Sequence, residues 1–172
     1  EGLYRGASLI FEDDDAFQGF LQDNAQPFAD PITQEDITFL TRHTETLALL
    51  RQAAARPTCR FTRDYPRPSF DMLIPEIQFL RDAARILAIS ARYQISIGEI
   101  PAAFDDISSI IKIGLHASSE PILISGLVGL AIDGLAINAL SEILPFIDTD
   151  DLSFLKRDDI HNFLCTPPSL AK

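Results

Sequence analysis

Only two cysteines, Cys59 and Cys165, and only three histidines occur among the 172 residues. The two thiols lack C-x-x-C spacing, which excludes a cysteine zinc site and a disulfide framework. Two free, half-buried thiols are the expectation; a bridge would require export and a fold that brings the pair together. His43, His116 and His161 fall in separate segments, with no H-x-x-x-H or H-E-x-x-H spacing. A metal would need His116 and His161 to meet over an acid such as Asp158, so neither a metal nor any other cofactor is expected. Glycine forms no phosphate-cradling loop, since Gly126 and Gly129 lie inside apolar sequence. Ser109-Ile110-Ile111-Lys112 has the S-x-x-K form, but its companion S-D-N and K-T-G elements are missing and the chain is short for that fold. The acids from Glu12 to Asp15 lack the spaced ligands and the glycine of a calcium loop. No stretch alternates polar and apolar residues as a strand would. These absences point away from an enzyme.

What the chain does have is apolar mass and negative charge. Hydrophobic residues make up 47% of it, and the formal charge is −11. An acidic disordered tail would be poor in Leu, Ile and Phe, so the charge decorates a real core. At this length one domain is expected, burying roughly two-thirds of its extended surface. The charge is uneven: residues 1–36 carry a net of −8, residues 37–92 a net of +4 and residues 93–172 a net of −7. Overall acidity excludes general binding to nucleic acid, whose phosphates it would repel.

Helical periodicity organises the chain. Residues 2–11 read as a short apolar helix, and Phe17, Phe20 and Leu21 suggest a second short piece. Thr33-x-x-Asp36 resembles a capping box and opens a helix to about Ala55, with Ile37, Leu40, Thr44, Leu47 and Ala54 on its buried stripe. Pro57 ends it. A long helix from Pro75 to about Ile97 buries Ile77, Leu80, Ala84, Leu87, Ala91 and Ile95. Gly98-Glu99-Ile100-Pro101 turns the chain into a helix over 102–117, with Phe104, Ile107, Ile111 and Leu115 inward and Asp105, Asp106 and Lys112 outward. Two further helices, at about 122–144 and 150–165, complete the prediction. Turns this short force antiparallel neighbours, so the predicted fold is all-α, an antiparallel helix-hairpin bundle or short α-solenoid. The division is 1–56 (acidic N-terminal helices), 57–75 (a Pro/Arg-rich connection) and 76–172 (core hairpins), all within one domain.

Residues 121–141 are apolar enough to raise the question of a membrane span. Asp133 lies near the centre and no Lys or Arg flanks either end, so a buried central helix is expected, with no transmembrane span in this chain. Ser125, Gly126, Gly129 and Gly134 would let that helix pack closely. A buried Asp133 needs a partner, and Arg85 and Arg92 share a face of the neighbouring long helix, so one of them is expected to pair with it.

Between the acidic start and the core, Arg56, Arg60, Arg63 and Arg67 alternate with Phe61 and Tyr65. One reading has these arginines pairing with the acidic N-terminal residues. The other makes Arg56, Arg60, Arg63, Tyr65 and Arg67 a site for an anion or an acidic partner, since arginine forks suit carboxylate and phosphate.

Ala88 to Leu115, with Ala91, Gly98 and Ala103 at the small positions, resembles one tetratricopeptide-type unit. More widely, Tyr4-Arg5-x-Ala7, Cys59-Arg60-Phe61, Leu73-Ile74-Pro75, Leu80 to Ala88, Gly98, Ala103, His116 and Glu120 to Ile124 are similar to an uncharacterised family of bacterial all-helical proteins. The resemblance implies the helical fold and a hydrophobic leader ahead of the domain, and it carries no activity. The missing initiator Met agrees with export or anchoring through such a leader, and the cytoplasm also stays open. The functional expectation is a non-catalytic interaction or scaffold domain that binds a protein or peptide between its hairpins. The alternatives are a binder of small anions, or a minor enzyme, using Arg56–Arg67, and a structural homo-oligomer paired through the 122–144 helix.

Overall fold

A computed structural model describes residues 2–12, 19–21, 27–28, 30–59, 75–119, 122–147 and 157–165 of the protein. Among them every regular element is helical: α1 (Gly2–Glu12), α2 (Gln34–Arg42), α3 (Thr44–Ala54), α4 (Pro75–Ser96), α5 (Ile100–Ser118), α6 (Leu123–Ile143) with a 3-10 turn at Leu144–Phe146, and α7 (Asp158–Cys165). The predicted all-α class is the observed one.

The local signals act as their chemistry requires. The Thr33 hydroxyl accepts from the Asp36 amide at 3.2 Å, and the Asp36 carboxylate accepts from the Thr33 amide at 2.8 Å, which completes a capping box at α2. The helix expected from here to Ala55 divides at His43. Thr44 bonds back to the Thr41 carbonyl at 2.8 Å, offering the backbone a competitor to the helical ladder just where the chain bends. The bend rotates Thr44 to the surface while Leu47 and Ala54 stay buried. At the other end of the core, Gly98 has φ +82°, and the Glu99 amide donates to the Gln94 carbonyl at 2.9 Å. That left-handed residue closes α4, and Pro101 in the first turn of α5 starts the return.

α4, α5 and α6 pack against one another, with α1 and α3 on one side and α7 against α5. All six apolar residues expected on the long helix, Ile77 through Ile95, are buried along α4. α5 departs from expectation at two positions. Asp106, expected outward, is fully buried, and Leu115, expected inward, is 64% exposed. α5 meets neighbours on several sides, so its buried arc is wide and centred differently from its apolar stripe. Asp106 is drawn in by partners. Arg51 Nε donates to its Oδ1 at 2.6 Å, Arg51 Nη2 donates to Oδ2 at 3.1 Å, and the Ser90 hydroxyl donates to Oδ2 at 2.7 Å. This network fastens α3, α4 and α5 together. Burial pushes the Asp106 carboxyl above the usual carboxylate range, against the pull of Arg51 and Ser90.

The crossing of α5 and α6 is close because it is glycine on glycine. A Cβ on Gly114 would lie 2.7 Å from Asp133 Oδ1, and one on Gly129 would overlap the Ser118 hydroxyl and lie 3.2 Å from the Gly114 carbonyl. Of the small residues on α6, Ser125 and Gly129 are the buried ones. Gly126 and Gly134 are half-exposed, with open space where a side chain would begin.

Candidate functional site

Of the Arg-rich segment, Arg60, Arg63, Tyr65 and Arg67 lie outside the described residues. Arg56 has an exposed side chain at the mouth of an open cleft of about 360 Å³, lined also by Leu3, Tyr4, Ala53, Thr58 and Cys59. The Arg56 carbonyl lies 2.9 Å from His116 Nε2, and the Tyr4 hydroxyl lies 2.9 Å from His116 Nδ1. A carbonyl can only accept, so Nε2 carries the proton and Nδ1 accepts from Tyr4. Burial lowers the His116 pKa, which favours this neutral imidazole. Burial, with Cys59 nearby, raises the Tyr4 hydroxyl far above its ordinary value. The arrangement clamps α1 to α5 and to the end of α3, and His161 lies on α7, apart from it. Among the described residues no group of three His, Cys, Asp or Glu could hold a metal ion. Cys59 is buried and Cys165 exposed, and the two are not joined by a disulfide.

The expected pairing of Asp133 with Arg85 or Arg92 does not form. Arg85 bonds Asp82 one turn away at 3.3 Å, and Arg92 Nε donates to Glu142 at 2.8 Å. Arg92 also donates to the Pro27 carbonyl, with its guanidinium 5.5 Å from the Phe28 ring centre. Both arginines are therefore engaged by other acceptors. Asp133 instead lies half-buried over Gly114, and desolvation alone raises its pKa. It escapes the full cost of an unpaired buried charge because it remains partly in water.

The feature that sequence reasoning missed is on the same helix. The sequence predicts a buried central helix here, but only the inner face of α6 is covered, at Ser125, Gly129, Ile132, Ala136, Ala139, Leu140 and Ile143. The outer face is equally apolar and bare. Leu123 is 80% exposed, Leu127 56% and Ile137 51%, and Ile124, Leu130, Leu144 and Phe146 join them. An ordinary surface helix turns polar residues outward. α6 has Ala131, Asn138 and Ser141 there, with its two charged residues, half-buried Asp133 and Glu142, at the margins of the face. The segment Leu123–Phe146 is long and apolar enough to cross a membrane; its most apolar 18-residue window has a mean hydropathy of 1.8 and is 33% buried. Its uniform apolarity hid this from the sequence: a helix hydrophobic all round gives no phase from which to tell its two faces apart.

Comparison with protein-family models, with curated proteins and with solved structures finds no match to the chain.

Proposed function

We propose that this chain is a non-catalytic interaction domain that docks a protein partner on the outward face of α6. The observation that carries the reading is the run of large apolar side chains left in solvent from Leu123 to Phe146. Monomeric proteins seldom expose a contiguous apolar patch beyond a few hundred Å², and larger ones mark places where another surface docks. The centre of that face carries no charge, which suits the dry centre of a protein interface, from which charged residues are depleted. It suits an anionic membrane poorly, because no Lys or Arg borders it and the chain carries −11. Docking therefore moves from a groove between hairpins to the convex side of one helix.

The test is a photoreactive side chain placed at Leu127 or at Ile137, with Gln52, exposed on α3, as the control. Protein adducts at the α6 positions and none at position 52 are expected. Equal labelling at all three, or none at any, contradicts the reading. A second reading, a site for small anions at Arg56, has the cleft in its favour, since about 360 Å³ falls at the small end of ligand pockets. It requires phosphate or citrate to raise the melting temperature of the parent and not of Arg56→Gln.

A further inference from the structure

Resting on that reading, we infer that the partner seated on α6 is a second copy of this chain, paired antiparallel through the same face. The first argument is spacing. Leu123, Leu127, Leu130, Gly134, Ile137 and Ser141 follow one another in alternating steps of four and three. That step pattern draws a seam along a helix which a second helix can follow with knobs in holes. All six point away from the bundle: five are exposed, and Gly134 is half-exposed. Among the described residues of one chain no helix follows that seam, since α4 and α5 cover the opposite face.

The second argument is self-complementarity. A two-fold axis at the level of residue 132 sets Leu123 against Ser141, Leu127 against Ile137 and Leu130 against Gly134 of the other copy, and the reverse by symmetry. Two layers then put a leucine over a small residue, and one joins two large apolar groups. The open space above Gly134, with nothing within 4 Å of a would-be Cβ, is the hole that Leu130 fills. A parallel pairing would instead stack leucine on leucine and glycine on glycine, overfilling one end and leaving a gap at the other.

The third argument is area. Seven large apolar side chains on this helix and the turn after it are 42–80% exposed, whereas the largest apolar patch on an ordinary monomer is about 300–600 Å². A two-fold pairing uses this face twice, which brings the contact toward the roughly 1,200–2,000 Å² of a stable specific interface. Charge then sets the salt dependence. Each copy carries −11 while the seam is uncharged, so screening the repulsion between copies tightens the pair.

The experiment uses the full chain with Cys165→Ser, which leaves only the buried Cys59. Leu127→Cys and Ile137→Cys are prepared separately, oxidised singly and as a mixture, and examined for linked dimers. The mixture is expected to give at least five times the dimer of either alone. In the antiparallel pair, position 127 lies about 15 Å along the axis from its own copy but opposite position 137. Equal linking of each variant to itself overturns the antiparallel register. Sedimentation of the uncrosslinked parent is expected to show a monomer–dimer equilibrium that tightens several-fold from 50 to 500 mM salt. Leu127→Glu with Ile137→Glu should weaken it at least tenfold at unchanged helicity; if that variant loses helicity, Leu127→Gln takes its place. A monomer at every concentration that still yields adducts with another protein at position 127 overturns the pairing and leaves the interaction reading standing. A monomer without adducts removes both. A monomer that floats with phosphatidylcholine vesicles overturns the pairing in favour of lipid.

Discussion

α5 and α6 lie side by side and treat their residues in opposite ways. α5 carries a carboxylate, Asp106, into full burial and leaves Leu115 in solvent, while α6 is apolar around most of its circumference and buries only seven of its 21 residues. Burial in this molecule therefore follows position in the bundle and the availability of partners more than the hydrophobicity of the residue. Asp106 is inside because Arg51 and Ser90 come from two neighbouring helices to meet it. Leu127 is outside because α4 and α5 occupy only one side of its helix.

The contrast is broken most forcefully at those two residues. Asp106→Ala leaves Arg51 and Ser90 facing an apolar gap. It should cost about 3 kcal/mol in urea unfolding, the low end for a broken buried pair because a third of the Arg51 side chain remains in solvent. Leu127→Gln should change stability by less than about 0.5 kcal/mol at concentrations where the chain is alone. If removing the leucine costs more than removing the carboxylate, the outer face of α6 is covered within the chain.

A smaller pair of effects separates the two faces of α6. Gly129→Ala pushes a methyl group into Ser118 and the Gly114 carbonyl at the α5 crossing, and should destabilise by about 1–3 kcal/mol. Gly134→Ala meets open space and should stabilise the isolated chain by about 0.5–1 kcal/mol through helix propensity. Thermal melts of the dilute proteins decide it. Two shifts of the same sign would mean that the faces are not different.

The smallest expected effect is the pH response of the clamp between α1 and α5. His116 has a folded pKa below its unfolded value of about 6.5, so between those two values the unfolded chain binds more protons. Its contribution is complete above about pH 6.5 and is lost as the pH falls through the unfolded value toward the folded one. Buried Asp82 and Asp106 and half-buried Asp133 have raised pKa values and act with the opposite sign at lower pH, so the parent must be compared with His116→Gln. Unfolding free energies from pH 7.5 to 5.5 should fall more steeply in the parent; parallel curves would show that His116 titrates alike in the folded and unfolded chains.

The helices, the capping box at Thr33 and the turn at Gly98 were legible because each rests on residues near in sequence. The Asp106 network was not, since Arg51 lies on another helix and nothing local distinguishes Asp106 from exposed Asp105. The exposure of α6 was hidden for a different reason. Periodicity reveals a face only where polar and apolar residues alternate around the helix, and α6 offers Leu and Ile to both sides. Asp133 suggested a buried partner because its neighbours are apolar; the structure gives its two candidate arginines nearer acids.

The claim on which the account turns is that the outer face of α6 is bare in the single chain and covered on association. Hydroxyl-radical footprinting of side chains measures this directly. In dilute protein, Leu123, Leu127 and Ile137 should be oxidised as readily as Leu115 on α5. As association proceeds with rising concentration, the three α6 residues should become protected while Leu115 stays reactive. Protection of the α6 residues at every dilution, or equal reactivity of all four at every concentration, would contradict it.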